Sequence, residues 1–206
     1  MYREIDLEDW HRKSSFEFFK PFDDPFFNIT AQIDVTALYK RCKQAGQSFF
    51  LASLHASQTA VNDIEAFRMR IIENKIALYD TIHLGSTVLF EDNSFGFCYF
   101  HHDPSLSVFL EDGEKRMQQF RAEKTFDPKL NAIDMVHYSV IPWVAFTSFK
   151  HARQKRTDDS IPKIVFGKRF QQGDRQLMPV SVEVNHALMD GYHVGQYFEL
   201  FEKLTR

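Results

Sequence analysis

Apolar and polar residues alternate most regularly near the C-terminal end, where Leu177, Val180, Val182 and Val184 belong to one run and Asp190-Gly191 opens another pattern with helical spacing. A strand is predicted over 177–184 and an amphipathic closing helix over 190–204. The run at 26–35 alternates in the same way, with Phe27, Ile29, Ala31 and Ile33 on one face. Short apolar runs at 67–72, 76–79, 87–90 and 95–100 are separated by Glu-Asn, Asp-Thr and Asp-Asn breakers and read as strands. Further strands are predicted at 136–141, 145–149 and 164–170. A Gly173-Asp174 turn joins the last of these to 177–184 as a hairpin.

The helical patterns lie early, midway and late. Asp9 is placed to cap a helix from Trp10 to about Phe19, which Pro21 and Pro25 break. A short helix starts at Asp34 or Thr36, runs through Leu38 and Cys42, and ends at Gly46. Ser48 caps the next one, whose Phe50, Leu51, Leu54 and residues 59–61 form a broad apolar face. Residues 106–124 form a helix with charged outward positions. Helices around many strands predict an α/β fold, a two-layer sandwich in which a large mixed β-sheet is covered by helices. No repeat, low-complexity tract or linker divides the chain, so one domain is expected over 1–206.

Composition narrows the function more by exclusion than by indication. The 206 residues suffice for a packed core, and 44% hydrophobic with 26% charged residues is ordinary for a globular protein. The 22 Phe are unusual; most are expected in the core, with pockets and subunit contacts as other uses. A formal net charge of −3 leaves no basic footprint for nucleic acid. No apolar run approaches the ~20 residues of a membrane span, and the first residues lack the apolar stretch of a signal peptide. Cys42 and Cys98 form no C-x-x-C pair and read as buried free thiols, consistent with a cytoplasmic location. Neither a G-x-G-x-x-G nor a G-x-x-x-x-G-K-[ST] loop is present. His101 and His102 are expected to point to opposite faces of a strand, a poor chelate, and no metal-ligand spacing is found.

One constellation carries chemistry. In Val184-Asn185-His186-Ala187-Leu188-Met189-Asp190-Gly191, a histidine ends the strand just before the Asp-Gly that opens the closing helix. Such a histidine can be held rigidly and still reach a cleft, as a general base must, or it can simply be satisfied by backbone at a strand end. Asp190 can cap the helix, pair with a cation, or do both. His193 is expected in packing or a subunit contact. In Pro142-Trp143-Val144-Ala145-Phe146-Thr147-Ser148-Phe149, Ser148 reads as a satisfied hydroxyl, a hydrogen-bond donor or a nucleophile; no G-x-S-x-G elbow surrounds it.

These two segments resemble the chloramphenicol acetyltransferase family, whose His-x-x-x-Asp-Gly signature belongs to coenzyme A-dependent acyltransferases. Trp10-His11-Arg12-Lys13 with Phe16-Glu17, Phe67-Arg68-Met69, Gly173-Asp174-Arg175 and Leu177-Met178-Pro179 extend the resemblance in order along nearly the whole chain. It implies acetyl transfer from acetyl-CoA to a small hydroxyl acceptor, chloramphenicol by default, with no permanently bound cofactor. His186 would be the general base, Ser148 the donor to the oxyanion, and Asp190 with Arg12 a structural salt bridge. It also implies a homotrimer with sites at subunit boundaries, an acceptor pocket supplied largely by the neighbouring chain, and a tunnel for acetyl-CoA from the opposite side. Phe18, Phe19, Phe27 and Val165 would line the acceptor pocket, and Lys168 would lie near the nucleotide end of the coenzyme.

Departures from the family concern the acceptor. Asn185 replaces the first of two consecutive histidines, Phe19 replaces a tyrosine, and Val165 replaces a threonine. The segment 150–162 is shorter than in the family and basic at 151–156. Two other readings follow: a catalytically silent or re-specified paralogue binding a different small aromatic ligand, and a dihydrolipoamide acyltransferase-like core. The second calls for a lipoyl domain and linker, which the chain is not expected to carry.

Overall fold

A computed structural model describes residues 1–129, 132–153 and 158–206. The C-terminal alternation becomes the 11-residue strand β10, Arg175–Asn185, where β1–β10 and α1–α5 are numbered along the chain. Strand β10 pairs antiparallel with β2 (Phe26–Asp34) on one side and with β8 (Lys163–Gly167) and β9 (Phe170–Gln172) on the other. Pro179 sits between the stretch paired with β9 and the stretch paired with β8, where its missing N–H breaks no ladder to those strands. Beyond β8 come β7 (Met135–Ile141) and β5 (His83–Leu89), both parallel pairings, and β6 (Phe95–Phe100), antiparallel to β5. The sheet order is thus β2-β10-β8-β7-β5-β6, with β9 beside β10. Three other strands, β1 (Tyr2–Ile5), β4 (Lys75–Tyr79) and β3 (Met69–Ile72), form a small antiparallel sheet in the order β1-β4-β3.

Period-two geometry gives β10 two different faces. Met178, Val180, Val182 and Val184 join the hydrophobic core together with residues of α1 (Lys13–Phe19), α2 (Thr36–Ala45), α3 (Phe49–Asp63), α4 (Leu106–Glu123) and α5 (Gly191–Thr205). Between them Ser181, Glu183 and Asn185 are also buried, but among polar groups. A buried hydroxyl network ties helices to sheet: Ser57 of α3 meets Tyr138 of β7 at 2.9 Å and Tyr197 of α5 at 2.6 Å. This fixes α5, and therefore the turn before it, against the sheet that carries His186.

The mixed sheet covered by helices is the fold class expected from sequence, with several local revisions. Helix α1 starts at Lys13 rather than Trp10; Arg12 occupies the cap position, and Trp10 is buried in the core. Asp34 accepts from the Thr36 backbone N–H at 3.0 Å, so the turn begins at Asp34 and α2 at Thr36. Gly46 ends α2 with φ of 65°, a conformation free of Cβ strain for glycine, and Ser48 accepts from the Leu51 N–H at 3.3 Å as the cap of α3. The run at 67–72 divides into a 3-10 turn, Glu65–Arg68, and β3. Strand β5 starts at His83, and 164–170 breaks into β8 and β9. No strand forms at 145–149: Trp143, Val144, Ala145, Thr147 and Ser148 are exposed, so the aromatic alternation there packs no ladder within the chain. Strand β6 ends before His101 and His102, whose rings meet His83 and His55 respectively. Strand β1 lacked a sequence signal of its own.

Cys42 and Cys98 are buried free thiols, and burial pushes Cys98 up to about 11, away from a reactive thiolate. Among the described residues no helix is long and apolar enough to cross a membrane, and no group of three or more His, Cys, Asp or Glu is placed to hold a metal ion.

Candidate active site

The turn between β10 and α5 presents His186. Its backbone N–H donates to the Pro25 carbonyl at 2.7 Å, tying it to the residue preceding β2. On either side, Asn185 Oδ1 accepts from the Ala187 N–H at 2.9 Å, and the Asn185 carbonyl accepts from Leu188 and Met189 at 3.1 and 3.2 Å. The backbone polar groups of this sharp turn are therefore largely satisfied within it. The imidazole stacks on Phe19, with centroids 3.9 Å apart and planes 7° from parallel, and leans on Phe27 at 4.6 Å. Its Nδ1 is buried without a hydrogen-bond partner among the described residues. Two aromatic walls thus fix the plane of the ring.

Asp190 stands at the start of α5 and serves two structures at once. Its Oδ1 accepts from the Tyr192 N–H at 3.1 Å and lies 3.0 Å from His193 Nδ1, while its own N–H donates to that nitrogen at 3.2 Å, completing a capping box. Its Oδ2 is 2.5 Å from Arg12 Nη1. Burial alone would raise the Asp190 carboxyl, but the Arg12 hydrogen bond and charge, with His193 and the Tyr192 N–H, hold it below the ordinary carboxylate range. Arg12 sits at the N-terminal end of α1, the helix that also carries Phe18 and Phe19. The ion pair therefore clamps α1 to the α5 cap and brings Phe19 to the ring of His186.

Phe18 packs edge-on against Phe19 at 4.9 Å and at a tilt against Phe22 at 5.3 Å, and it is 62% exposed. The structure therefore brings Phe19 and Phe27 to the His186 ring, with Phe18 one ring further out against Phe19. It does not bring the remaining expected residues there. Ser148 is exposed and makes no hydrogen bond among the described residues. Its neighbour Phe149 lies over the polar face of β10, accepting a 3.4 Å hydrogen bond from Ser181. Val165 is fully buried in β8, in register with Ser139 and Ser181. Lys168 is exposed, its backbone N–H donating to the Val144 carbonyl at 2.9 Å. Of the basic segment at 151–156, residues 154–156 lie outside the described residues.

A cavity of about 540 Å³ opens beside the segment that carries Ser148. Phe50, Leu51, Val88, Met117, Val140 and Trp143 form most of its apolar wall, with Glu114 and Arg121 among its polar lining. Its size falls in the range of small-molecule and cofactor sites. Sequence patterning could not find this cavity, because its wall draws on α3, β5, α4 and the end of β7. Equally hidden was a set of buried charges behind His186, Glu183 with Arg153 and Asp159. The one sequence signal for it is a carboxylate at a buried position within the alternation of β10.

The architecture is shared with known acyltransferases. A solved chloramphenicol acetyltransferase matches with a TM-score of 0.93 at 29% identity, covering 100% of both chains. A dihydrolipoamide acetyltransferase from Azotobacter vinelandii shares the fold more distantly, with a TM-score of 0.68 at 14% identity over 93% of this chain and 85% of that one. The fold is therefore that of the α/β acyltransferases. In sequence, the model of the chloramphenicol acetyltransferase family matches residues 1–202. A chloramphenicol acetyltransferase from Proteus mirabilis is 32% identical over 195 residues, covering 93% of this chain and 89% of that protein. One from Escherichia coli is 31% identical over 196 residues, covering 95% and 90%. The chain belongs to the chloramphenicol acetyltransferase family and is an enzyme of that acyltransferase type.

Proposed function

We propose that the protein transfers the acetyl group of acetyl-CoA to a hydroxyl of chloramphenicol or a related small aromatic molecule, with His186 as general base. The observation that carries this reading is the setting of His186: its backbone is fixed at the β10–α5 turn, its ring is clamped by Phe19 and Phe27, and its Nδ1 is turned inward. Nε2 is then the nitrogen available to a substrate. It takes the acceptor's hydroxyl proton as the oxygen attacks the thioester carbonyl carbon. The Ser148 hydroxyl donates to the oxyanion of the tetrahedral intermediate; collapse breaks the carbon–sulfur bond, and the coenzyme thiolate recovers the proton from His186. No acyl-enzyme forms, and no permanently bound cofactor is needed. Arg12 and Asp190 support the site by holding its helices.

The coenzyme is assigned to the side of Ser148, with Lys168 near its nucleotide end; the cavity lined by Pro142 and Trp143, at the start of the Ser148 segment, supports a binding surface there. Phe18, Phe19 and Phe27 line the acceptor side; Val165, fully buried in β8, is assigned to that side by family resemblance alone. Ser148 and His186 share no hydrogen bond within one chain, and the elements that carry them also carry exposed aromatic side chains: Trp143 in the Ser148 segment, Phe18 on α1 and Tyr192 on α5. Those surfaces support a homotrimer whose sites lie at subunit boundaries, each completed by a neighbouring copy. Residues 1–206 act as one acetyltransferase domain, working in the cytoplasm.

The acceptor is tested by release of free thiol from acetyl-CoA in the presence of chloramphenicol and, separately, a panel of other small aromatic alcohols. Chloramphenicol-dependent release with formation of its acetyl ester is expected. Release with another alcohol alone would retain the chemistry and reassign the acceptor, in keeping with hydroxyl-free Phe19 and Val165. Coenzyme A binding without turnover on any alcohol would contradict the reading and identify a ligand-binding paralogue.

A further inference from the structure

Behind His186, on the polar face of β10, the protein buries a charge cluster that acyl transfer does not itself require. Glu183 is 1% exposed, and its Oε1 accepts from Arg153 Nε. The same guanidinium donates through Nη1 to Asp159 Oδ2 at 2.9 Å and through Nη2 to the Ile161 carbonyl at 3.2 Å. It also lies over the Phe26 ring, 3.5 Å from the centroid. One planar fork, itself 9% exposed, thus joins Asp159 and Ile161 to β10 and β2.

Two of these contacts, to Phe26 and Asp159, lead to the turn that bears His186. Phe26 faces Asn185 in the β2–β10 register, and the residue before it, Pro25, accepts the His186 N–H. Asp159 offers its backbone carbonyl to Asn185 Nδ2 at 3.0 Å, and Asn185 Oδ1 then accepts from Ala187. The side chain on one flank of His186 and the backbone N–H on the other are therefore connected to Arg153 through at most two intermediaries. His151 N–H to Glu183 Oε2 at 3.4 Å and Lys163 Nζ to the Ala152 carbonyl at 2.8 Å add ties between residues 151–152 and the sheet. Buried ion clusters contribute little net stability compared with apolar packing, but their directional bonds fix geometry.

We propose that Arg153, acting through Asp159, Phe26 and Asn185, is a positioning residue that sets the turn bearing His186 for acyl transfer. The inference rests on His186 being the general base. In this chain Asn185 is the receiving end of the brace: its amide has both the donor for Asp159 and the acceptor for Ala187.

The test is steady-state kinetics of Arg153→Met and Asn185→Asp in the full-length protein, with coenzyme A binding and thermal midpoint measured on each. Asn185→Asp keeps the acceptor for Ala187 and the three residues of the charge cluster, but removes the donor to Asp159 and sets a carboxylate against that carbonyl. The expected result is a fall in kcat of ~10–100-fold in both variants, with KM for acetyl-CoA and coenzyme A affinity within about twofold of wild type, as small misplacements of a catalytic group produce. If Arg153→Met fails to fold, Asn185→Asp decides. Folded variants that keep kcat within about twofold, or lose kcat only in proportion to the unfolded fraction, would overturn the proposal. A parallel His186→Ala control keeps the two readings apart: full activity there removes the base assignment, whereas its loss alongside unaffected brace variants removes only the brace.

Discussion

His186 is oriented by two rings and by its backbone, whereas Asp190, in the same motif, directs its carboxylate to Arg12 and His193. The aspartate therefore governs the turn and α1 rather than forming a relay with the imidazole. Replacing it with asparagine keeps a capping oxygen but removes the charge that Arg12 faces. Asp190→Asn is expected to lower the thermal midpoint by a few degrees at neutral pH and to reduce activity as α1 loosens. The sign of the pH dependence follows from the depressed carboxyl: this contribution is present above the ordinary value near ~4 and is lost as pH falls through the lower folded value. The difference in midpoint between wild type and variant should thus shrink on acidification below about pH 4; a constant difference would contradict it. Histidine and aspartate were legible as a motif. Pairing Asp190 with Arg12 depended on family resemblance, because no local spacing joins residues at opposite ends of a chain. The partner of Glu183 left no such trace, since Arg153, which also holds Asp159, lies outside any helix or strand.

Elements were most legible where local stereochemistry dictates them. Gly46 at a left-handed helix end and Ser48 as the next cap lie where turn and capping preferences put them. At 145–149, by contrast, Phe146 and Phe149 are half-buried against each other while Ala145, Thr147 and Ser148 are exposed; a pattern reports which residues seek burial, not whether a strand ladder provides it. A close approach of elements is equally silent in sequence. At Gly96 in β6, an added Cβ would stand 2.5 Å from the Thr125 carbonyl oxygen and 2.6 Å from the Phe120 ring, just where α4 ends. Gly96→Ala is predicted to destabilise the protein by ~1–3 kcal/mol through overpacking. A denaturant midpoint unchanged from wild type would show that α4 yields without cost.

For the whole molecule, the sequence indicated layers and a mixed sheet, because helical and strand periods are local properties. The order β2-β10-β8-β7-β5-β6 depends on long-range pairing, and here two parallel neighbours sit within an otherwise antiparallel sheet. That arrangement places the β10–α5 turn beside α1 at one place and the Pro142–Ser148 segment, with its cavity, at another. Acyl transfer on this scaffold asks for both, so the proposed trimer and the proposed chemistry stand together. The central claim is that the aromatic-clamped histidine removes the acceptor's proton. Its most direct measurement is free-thiol release from acetyl-CoA by wild type and His186→Ala in parallel, each with the acceptor that the wild type turns over, with coenzyme A affinity confirmed in both. Loss of the base should cut kcat by ~10²–10⁴-fold while the variant remains folded and binds coenzyme A. A folded His186→Ala protein that turns over at a near-normal rate would contradict the account.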